Sequence, residues 1–220
     1  MNKGKIIVLD GGDGSGKATQ TKRLSEKILH AGYKVRTFEF PRYGEPSARA
    51  VEEYLSGAKG PNPQNINPYL ASTYYSEDRH FAAPEIIEAQ KSVDFLIIDR
   101  YASANMGHQG GKIKDREERE RFFKWVENFE YNILGIPKED HTIYLHVPPK
   151  ENQALVEERG EKQDIHEKSE EHLIGAEAAF KHAAETRNWI YVECMNEEGK
   201  MRSIEDIADI IWIELGIIPK

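Results

Sequence analysis

Short apolar runs alternate with longer amphipathic ones along this 220-residue chain. The runs at 5–10 (KIIVLD), 34–40 (KVRTFEF), 94–99 (DFLIID), 141–147 (HTIYLHV) and 189–194 (WIYVEC) have the length of strands. Helical spacing fills the intervals at about 17–31, 47–57, 67–91, 116–134, 150–158, 169–187 and 203–215. Near-continuous Ile, Val and Leu implies strands covered on both faces. Such strands separated by long helices predict an α/β fold of three layers, with a central parallel sheet of about five strands flanked by helices. Ligands of these sheets bind at the carboxyl ends of the strands. No linker, repeat or low-complexity tract divides the chain, so residues 1–220 are expected to form a single domain. Segment 57–68 (GAKGPNPQNINP) reads as a surface loop. Segment 159–171 (RGEKQDIHEKSEE) is charged and nearly free of apolar residues, which suits either a flap or a solvated helix end.

Composition narrows the function classes. A hydrophobic content of 39% with 31% charged residues fits a folded globular chain. A net charge of −8 argues against duplex DNA or an anionic membrane as the main partner, so neither nucleic acid nor membrane is expected. A small phosphorylated ligand in a local basic pocket stays compatible. The one cysteine, Cys194, permits no internal disulfide and suits a reducing cytoplasm. No apolar stretch approaches 18 residues and no signal peptide opens the sequence. The eight histidines are scattered without close ligand-type pairing, so a structural zinc site is not expected.

The strongest chemical signal is IIVLDGGDGSGKAT at 6–19. A buried strand runs into Gly11, Gly12, Asp13, Gly14, Ser15 and Gly16, and Lys17 opens a helix. Glycines let the backbone turn its N–H groups onto an anion at the helix N-terminus, and Lys17 reaches the outer phosphates of a nucleotide. The pattern is that of a phosphate-binding loop with one departure. Ala18 stands where a Ser or Thr hydroxyl usually meets Mg²⁺, and Thr19, one residue on, points about 100° away.

Other candidates are weaker alone. Asp99 closes a strand and precedes Arg100: a carboxylate able to hold Mg²⁺ beside a guanidinium able to fork onto phosphate, or a plain strand-end ion pair. Phe40, Arg42 and Tyr43 in FPRYG reach the same sheet edge and fit a packed turn equally well. Tyr75 and Arg79 lie four apart on one helix face; they can stack on a base and bond its edge, or simply pack. Arg159 and Lys162 can close on phosphates or belong to a solvated face.

Together, LDGGDGSGK (9–17), FPRYG (40–44), Tyr75…Arg79, DRYASANMGHQGGK (99–112) and RGEKQDIHEK (159–168) resemble the thymidylate kinase family, among the P-loop nucleoside monophosphate kinases. The resemblance implies a P-loop kinase fold and transfer of the γ-phosphate of ATP to dTMP with Mg²⁺, in a cytoplasmic homodimer. It implies that residues 11–19 hold ATP and that Asp13 and Asp99 attend the metal. It places Asp13, Phe40, Arg42, Tyr43, Tyr75, Arg79, Arg100, Asn105 and His108 around dTMP. Lys17, Arg100, Asp13 and a flap cation, Arg159 or Lys162, would be catalytic, and 159–171 would be a lid. The apolar-aromatic faces of 67–91 and 116–134 (Phe122, Phe123, Trp125, Phe129) are candidates for the dimer contact or for ordinary core.

Three departures matter: Ala18; His108 where the family usually has an aromatic ring; and Lys162-Gln163-Asp164 where many relatives have an Asp-Arg pair. They leave two other readings open, a kinase of another monophosphate or a deoxynucleoside, and a nucleotide-binding protein without turnover.

Overall fold

The computed structural model describes residues 3–159 and 163–220, with the side chains of 157–159 outside the description. Five parallel strands, β1 (Lys5–Gly11), β2 (Val35–Glu39), β3 (Phe95–Asp99), β4 (His141–His146) and β5 (Ile190–Glu193), form one sheet in the order β2-β3-β1-β4-β5. Every pairing is parallel, and Leu9 of β1 lies between Asp99 of β3 and Ile143 of β4. The central position of β1 explains its unbroken apolar run: all its residues after Lys5 are buried.

Strand alternation divides that run between two cores. Ile6, Val8, Leu96 and Ile98 meet Ala82, Ala83, Ile86 and Ala89 of α3 (Pro68–Ala89). Ile7, Leu9, Ile97, Ile143 and Leu145 meet Leu24 and Ile28 of α1 (Lys17–His30) and Ile207 and Ile211 of α8 (Ile204–Leu215). Each fully buried aliphatic side chain contributes about 1.5–3 kcal/mol relative to exposure. The order of layers thus follows from period-2 strands and period-3.6 helices.

Helix starts follow their capping residues. The Asn67 side-chain Oδ1 accepts from Tyr69 N at 2.9 Å and Leu70 N at 3.2 Å, with Pro68 at the first helical position of α3. Asp115 caps α5 (Arg116–Glu127) and Ser169 caps α7 (Glu170–Arg187) in the same way.

Several elements differ from the sequence reading. The helix expected at 47–57 is a 3₁₀ turn followed by α2 (Arg49–Leu55). The helix expected through 134 ends as α5 at Glu127 and continues as a wider π turn, Asn128–Ile133. After β3 a short helix α4 (Ala102–Ala104), a π turn (Asn105–Gln109) and a 3₁₀ turn (Gly110–Lys112) fill a stretch assigned no element. That stretch packs flat on α7 because glycines on both sides have no Cβ: one on Gly107 would sit 2.2 Å from the Phe180 ring, and one on Gly175 of α7 would sit 2.4 Å from Gly111 O. Phe122 and Phe123 are fully buried with Met106, Val126, Ala179 and Ala183, so they are core and not a dimer face.

The segment after α6 (Pro149–Arg159) also departs from a solvated face. Ile165 is buried in a cluster with Val51, Tyr54, Leu55 and Ala71, and its N–H donates to Leu55 O at 3.2 Å. Asp164 Oδ1 accepts from His166 N at 2.7 Å and Glu167 N at 2.9 Å, which ties the turn together. The described part of the predicted lid therefore lies down on α2 and α3.

Candidate active site

The loop after β1 is built around an ammonium. Lys17 Nζ donates to Gly12 O at 2.7 Å and to Gly11 O at 3.2 Å. Gly16 holds φ 85 at the N-cap of α1, a left-handed conformation disfavoured for side-chain-bearing residues. Burial lowers the Lys17 ammonium to about 8, helped by Arg100 and opposed by Asp13, Asp99 and Asp10. The loop borders a cleft of about 770 Å³, and Ala18 and Thr19 face it from the first turn of α1. A Cβ on Gly12 would sit 2.2 Å from Asn152 Nδ2, so α6 presses directly on this loop.

Arg100 is the hinge of the site. It follows β3 in the left-handed region, φ 63, unusual for a residue with a long side chain. Its Nη2 pairs with Asp13 Oδ1, and its Nη1 lies 3.0 Å from His108 Nε2. Burial pushes the Asp13 carboxyl up, but Arg100, with His108 and Lys17, outweighs it and holds that carboxyl well below its ordinary range. Burial alone would lower Arg100; Asp13, Asp99 and Asp10 reverse that and hold it above its ordinary value. Asp99 Oδ1 is buried and makes no hydrogen bond.

Beyond Arg100 lies a second, tighter pocket. Asp13, Phe40, Tyr43, Tyr75, Arg79, Arg100, Asn105 and His108 line it, so eight of the nine residues expected around the acceptor are brought together. Arg79 is anchored by Glu130: Nε and Nη2 each reach a Glu130 oxygen at 2.6 Å, with both side chains buried. Asn105 Nδ2 donates to the same carboxylate at 2.8 Å. Tyr75 is half-buried and meets Tyr54 edge-on. Asp164 and His166 close the pocket from the lid side and leave about 50 Å³ of free space. That is room for a few waters at roughly 10–15 Å³ each.

Arg42 is the exception among the acceptor candidates. It does not line this pocket; its N and Nε donate to Asp78 at 2.8 and 2.9 Å, and its Nη2 donates to Ser47 Oγ at 2.9 Å. The guanidinium is thus held beside the pocket by a buried carboxylate. Of the two flap cations, Lys162 lies outside the described residues, and the side chain of Arg159 does too.

Sequence reasoning missed several participants. Asp10 is fully buried at the end of β1 and accepts from Ser103 Oγ at 2.7 Å; its position closing the first apolar run, as Asp99 closes the third, was the available signal. Gln109 lines the tight pocket, next to His108 in sequence. Glu130 and Asp78 carry no local signal, because their roles arise only when distant helices pack. The same holds for three histidines. His108, His166 and His172 are all buried, with one ring nitrogen of each within 4.8 Å of the others, which overturns the reading of scattered, unpaired histidines.

A parallel sheet with a phosphate loop after its central strand, a lysine curled into that loop and a lid segment over a second pocket define the class of P-loop kinases. The thymidylate kinase family model matches residues 9–204. The chain belongs to the thymidylate kinase family. A thymidylate kinase of Mycobacterium tuberculosis is 32% identical over 143 residues, 64% of this chain and 65% of that protein's length. One from Plasmodium falciparum is 28% identical over 213 residues, covering 97% of this chain and 90% of that protein. The solved structure of thymidylate kinase from Candida albicans superposes with a TM-score of 0.74 at 19% identity, covering 97% of this chain and 92% of that one, which supports the fold. Among the described residues no helix is long and apolar enough to cross a membrane.

Proposed function

We propose that this protein transfers the γ-phosphate of ATP to the 5′-phosphate of dTMP, giving dTDP for dTTP synthesis. One observation carries the reading: the phosphate-loop cleft and the tight pocket are adjoining cavities that share Asp13, Phe40, Tyr43, Arg100 and Asp164 on their walls. A donor phosphate on Lys17 and an acceptor phosphate beside Arg100 would meet across those residues.

Phosphoryl transfer between two polyanions needs positioning and charge neutralisation more than covalent help. Residues 11–19 would cradle the donor, Lys17 reaching its outer phosphates. Tyr75 would stack on the base, while Arg79, fixed by Glu130, and Asn105 would bond its edge. Arg100 would leave Asp13 and His108 to lie between the phosphates, and a flap cation, Arg159 or Lys162, would close on them. The acceptor is already an ionised oxygen, so no strong general base is required.

The family implies a divalent metal, and the residues fit one. Asp99 Oδ1, buried and unpartnered beside the phosphate loop, is the hard oxygen donor that Mg²⁺ takes. Asp13, one of four other carboxylates lining the cleft with Glu39, Asp164 and Glu167, is the one on the phosphate loop itself, although Arg100 engages one of its oxygens. When bound, Mg²⁺ would neutralise phosphate charge.

A panel of dTMP, dUMP, UMP, CMP and AMP with ATP and Mg²⁺ tests the proposal. Preference for dTMP supports it; preference for another monophosphate, or tight ATP binding without transfer to any acceptor, overturns it. The panel probes the ribose as well, because the neutral imidazole of His108 stands at the pocket wall.

We further propose a cytoplasmic homodimer joined through the outer face of α3. Leu70 and Phe81 on that helix and Ile133 after α5 are large apolar side chains exposed to solvent. Light scattering with Phe81→Lys tests this: the variant should be monomeric.

A further inference from the structure

The phosphate-transfer reading gives His108 only a place on the pocket wall and leaves two further buried imidazoles, His166 and His172, without a role. His108 comes from the π turn after α4, His166 from the lid segment and His172 from the first turn of α7. Their rings stack in a group: His166 on His172 at 3.9 Å between centroids, His108 at 5.5 and 5.6 Å from the two. His108 Nδ1 and His172 Nε2 are 3.4 Å apart. Two nitrogens on one tetrahedral zinc ion, each bound at about 2.0–2.1 Å, stand roughly 3.3 Å apart, so the His108–His172 pair has that spacing as it stands, and His166, its ligand atom within 4.8 Å of the other two, turns off its stack on His172 to join them. His172 Nδ1 is buried without a hydrogen-bond partner, a cost that a structural core histidine would normally avoid.

We propose that His108, His166 and His172 form a binding site for one first-row transition-metal ion of the Zn²⁺ class, which fastens the lid segment to α7 and to the wall of the tight pocket. Imidazole is the ligand type that Zn²⁺, Co²⁺ and Ni²⁺ favour, whereas Mg²⁺ prefers oxygen, so this site is chemically separate from the one at Asp99. Metal binding requires neutral imidazoles. Burial lowers all three groups below the ordinary histidine value, His172 to about 3. The groups facing the cluster include Arg100 on His108 Nε2 and Tyr54, whose oxygen lies 2.7 Å from His166 Nε2 and accepts from Lys112 Nζ at 3.1 Å.

The Arg100 contact dictates the proton position on His108. Arg100 donates to His108 Nε2, so the ring proton sits on Nδ1, and a metal ion at Nδ1 displaces it to Nε2 at the cost of the Arg100 contact. When Arg100 turns toward a phosphate, the proton can reside on Nε2 and Nδ1 becomes a ligand. His172 already offers Nε2. In the tautomer that donates Nε2–H of His166 to the Tyr54 oxygen, Nδ1 of that ring carries the free lone pair, and the phenol orients the ligand as outer partners of metal sites commonly do. Metal occupancy and the phosphate-facing position of Arg100 are thus mutually favourable, and an ion here holds the lid down.

The test needs neither ATP nor dTMP, so its failure is distinct from failure of the kinase reading. The full chain is titrated with ZnCl₂ against a chromophoric chelator in excess MgCl₂, and separately with CoCl₂ to detect the visible bands of tetrahedral Co²⁺. The expected result is one ion per chain. His172→Ala and His166→Ala should each bind at least a hundredfold more weakly, beyond the loss typical of an outer partner. His30→Ala, on the exposed end of α1, should bind as the parent does. Zinc should also slow amide exchange across residues 163–169 in the parent chain alone. Equal binding by parent and both variants, absence of stoichiometric zinc, or unchanged exchange of 163–169 with zinc bound would overturn the proposal. If His172→Ala fails to fold, His166→Ala decides.

Discussion

Arg79 on α3 and Glu130 in the turn after α5 form a two-pronged ion pair, both contacts 2.6 Å, with side chains 1% and 0% exposed. Buried pairs of this kind contribute modestly as a unit, yet removal of one partner leaves an uncompensated charge. Glu130→Ala is therefore expected to lose roughly 3–5 kcal/mol of stability. Because Asn105 shares the Glu130 carboxylate, the variant should also raise the KM for the acceptor while that for ATP changes little. Urea denaturation and a two-substrate kinetic matrix measure the two effects. A variant as stable as the parent would show that the pair has no structural role.

Lys17 and Arg100 act on charge that moves during transfer. Lys17→Ala and Arg100→Ala should each reduce turnover more than a hundredfold, in line with the roughly 2.7–4 kcal/mol seen when a preorganised electrostatic donor is deleted. A coupled ATP/dTMP assay reads this directly. Near-parent turnover for both variants would contradict the assigned roles.

The Lys17 ammonium also predicts a proton linkage. Burial lowers it from 10.5 to about 8 in the folded chain. Between those values the unfolded chain holds a proton that the folded chain lacks, so this group's contribution to stability rises with pH across that window. ATP acts oppositely, because a triphosphate favours the charged form. Binding near pH 9 should take up a proton, and affinity should fall as pH rises above 8. Calorimetry in two buffers of different ionisation enthalpy detects the uptake, and Lys17→Met should abolish it. Proton release, or uptake that persists in Lys17→Met, would assign the titration elsewhere.

The sheet was legible because its strands are buried on both faces: the run at 6–9 reports its central place without tertiary information. The phosphate loop was legible because its chemistry is local, with Gly16 and Lys17 adjacent to the turn they make. Tyr75, Arg79 and Asn105 were recognisable as a pocket only through resemblance, since spacing allowed a plain amphipathic helix. Long-range partners were not legible. Glu130 lies 51 residues from Arg79 and Asp78 lies 36 from Arg42, and no periodicity links residues that meet only after packing. The lid misled in the opposite sense: Ile165, one apolar residue in a charged run, is enough to seat the segment in the cluster around Tyr54.

Arg42 separates support from binding. Asp78 is 1% exposed and accepts from Arg42 N, Arg42 Nε and Ser47 Oγ, so its charge depends on these donors. Arg42→Ala leaves the backbone N–H and the hydroxyl but removes the compensating cation. It should cost about 1–3 kcal/mol, as expected when a buried acceptor loses a partner. Asp78→Asn removes the charge that needs compensation, so the double variant Arg42→Ala/Asp78→Asn should recover part of that loss. If Arg42 also clamps the acceptor phosphate, the double variant will regain stability without regaining acceptor affinity, and the KM for dTMP will stay raised at least tenfold. Recovery of both together would mean that Arg42 serves only to neutralise Asp78.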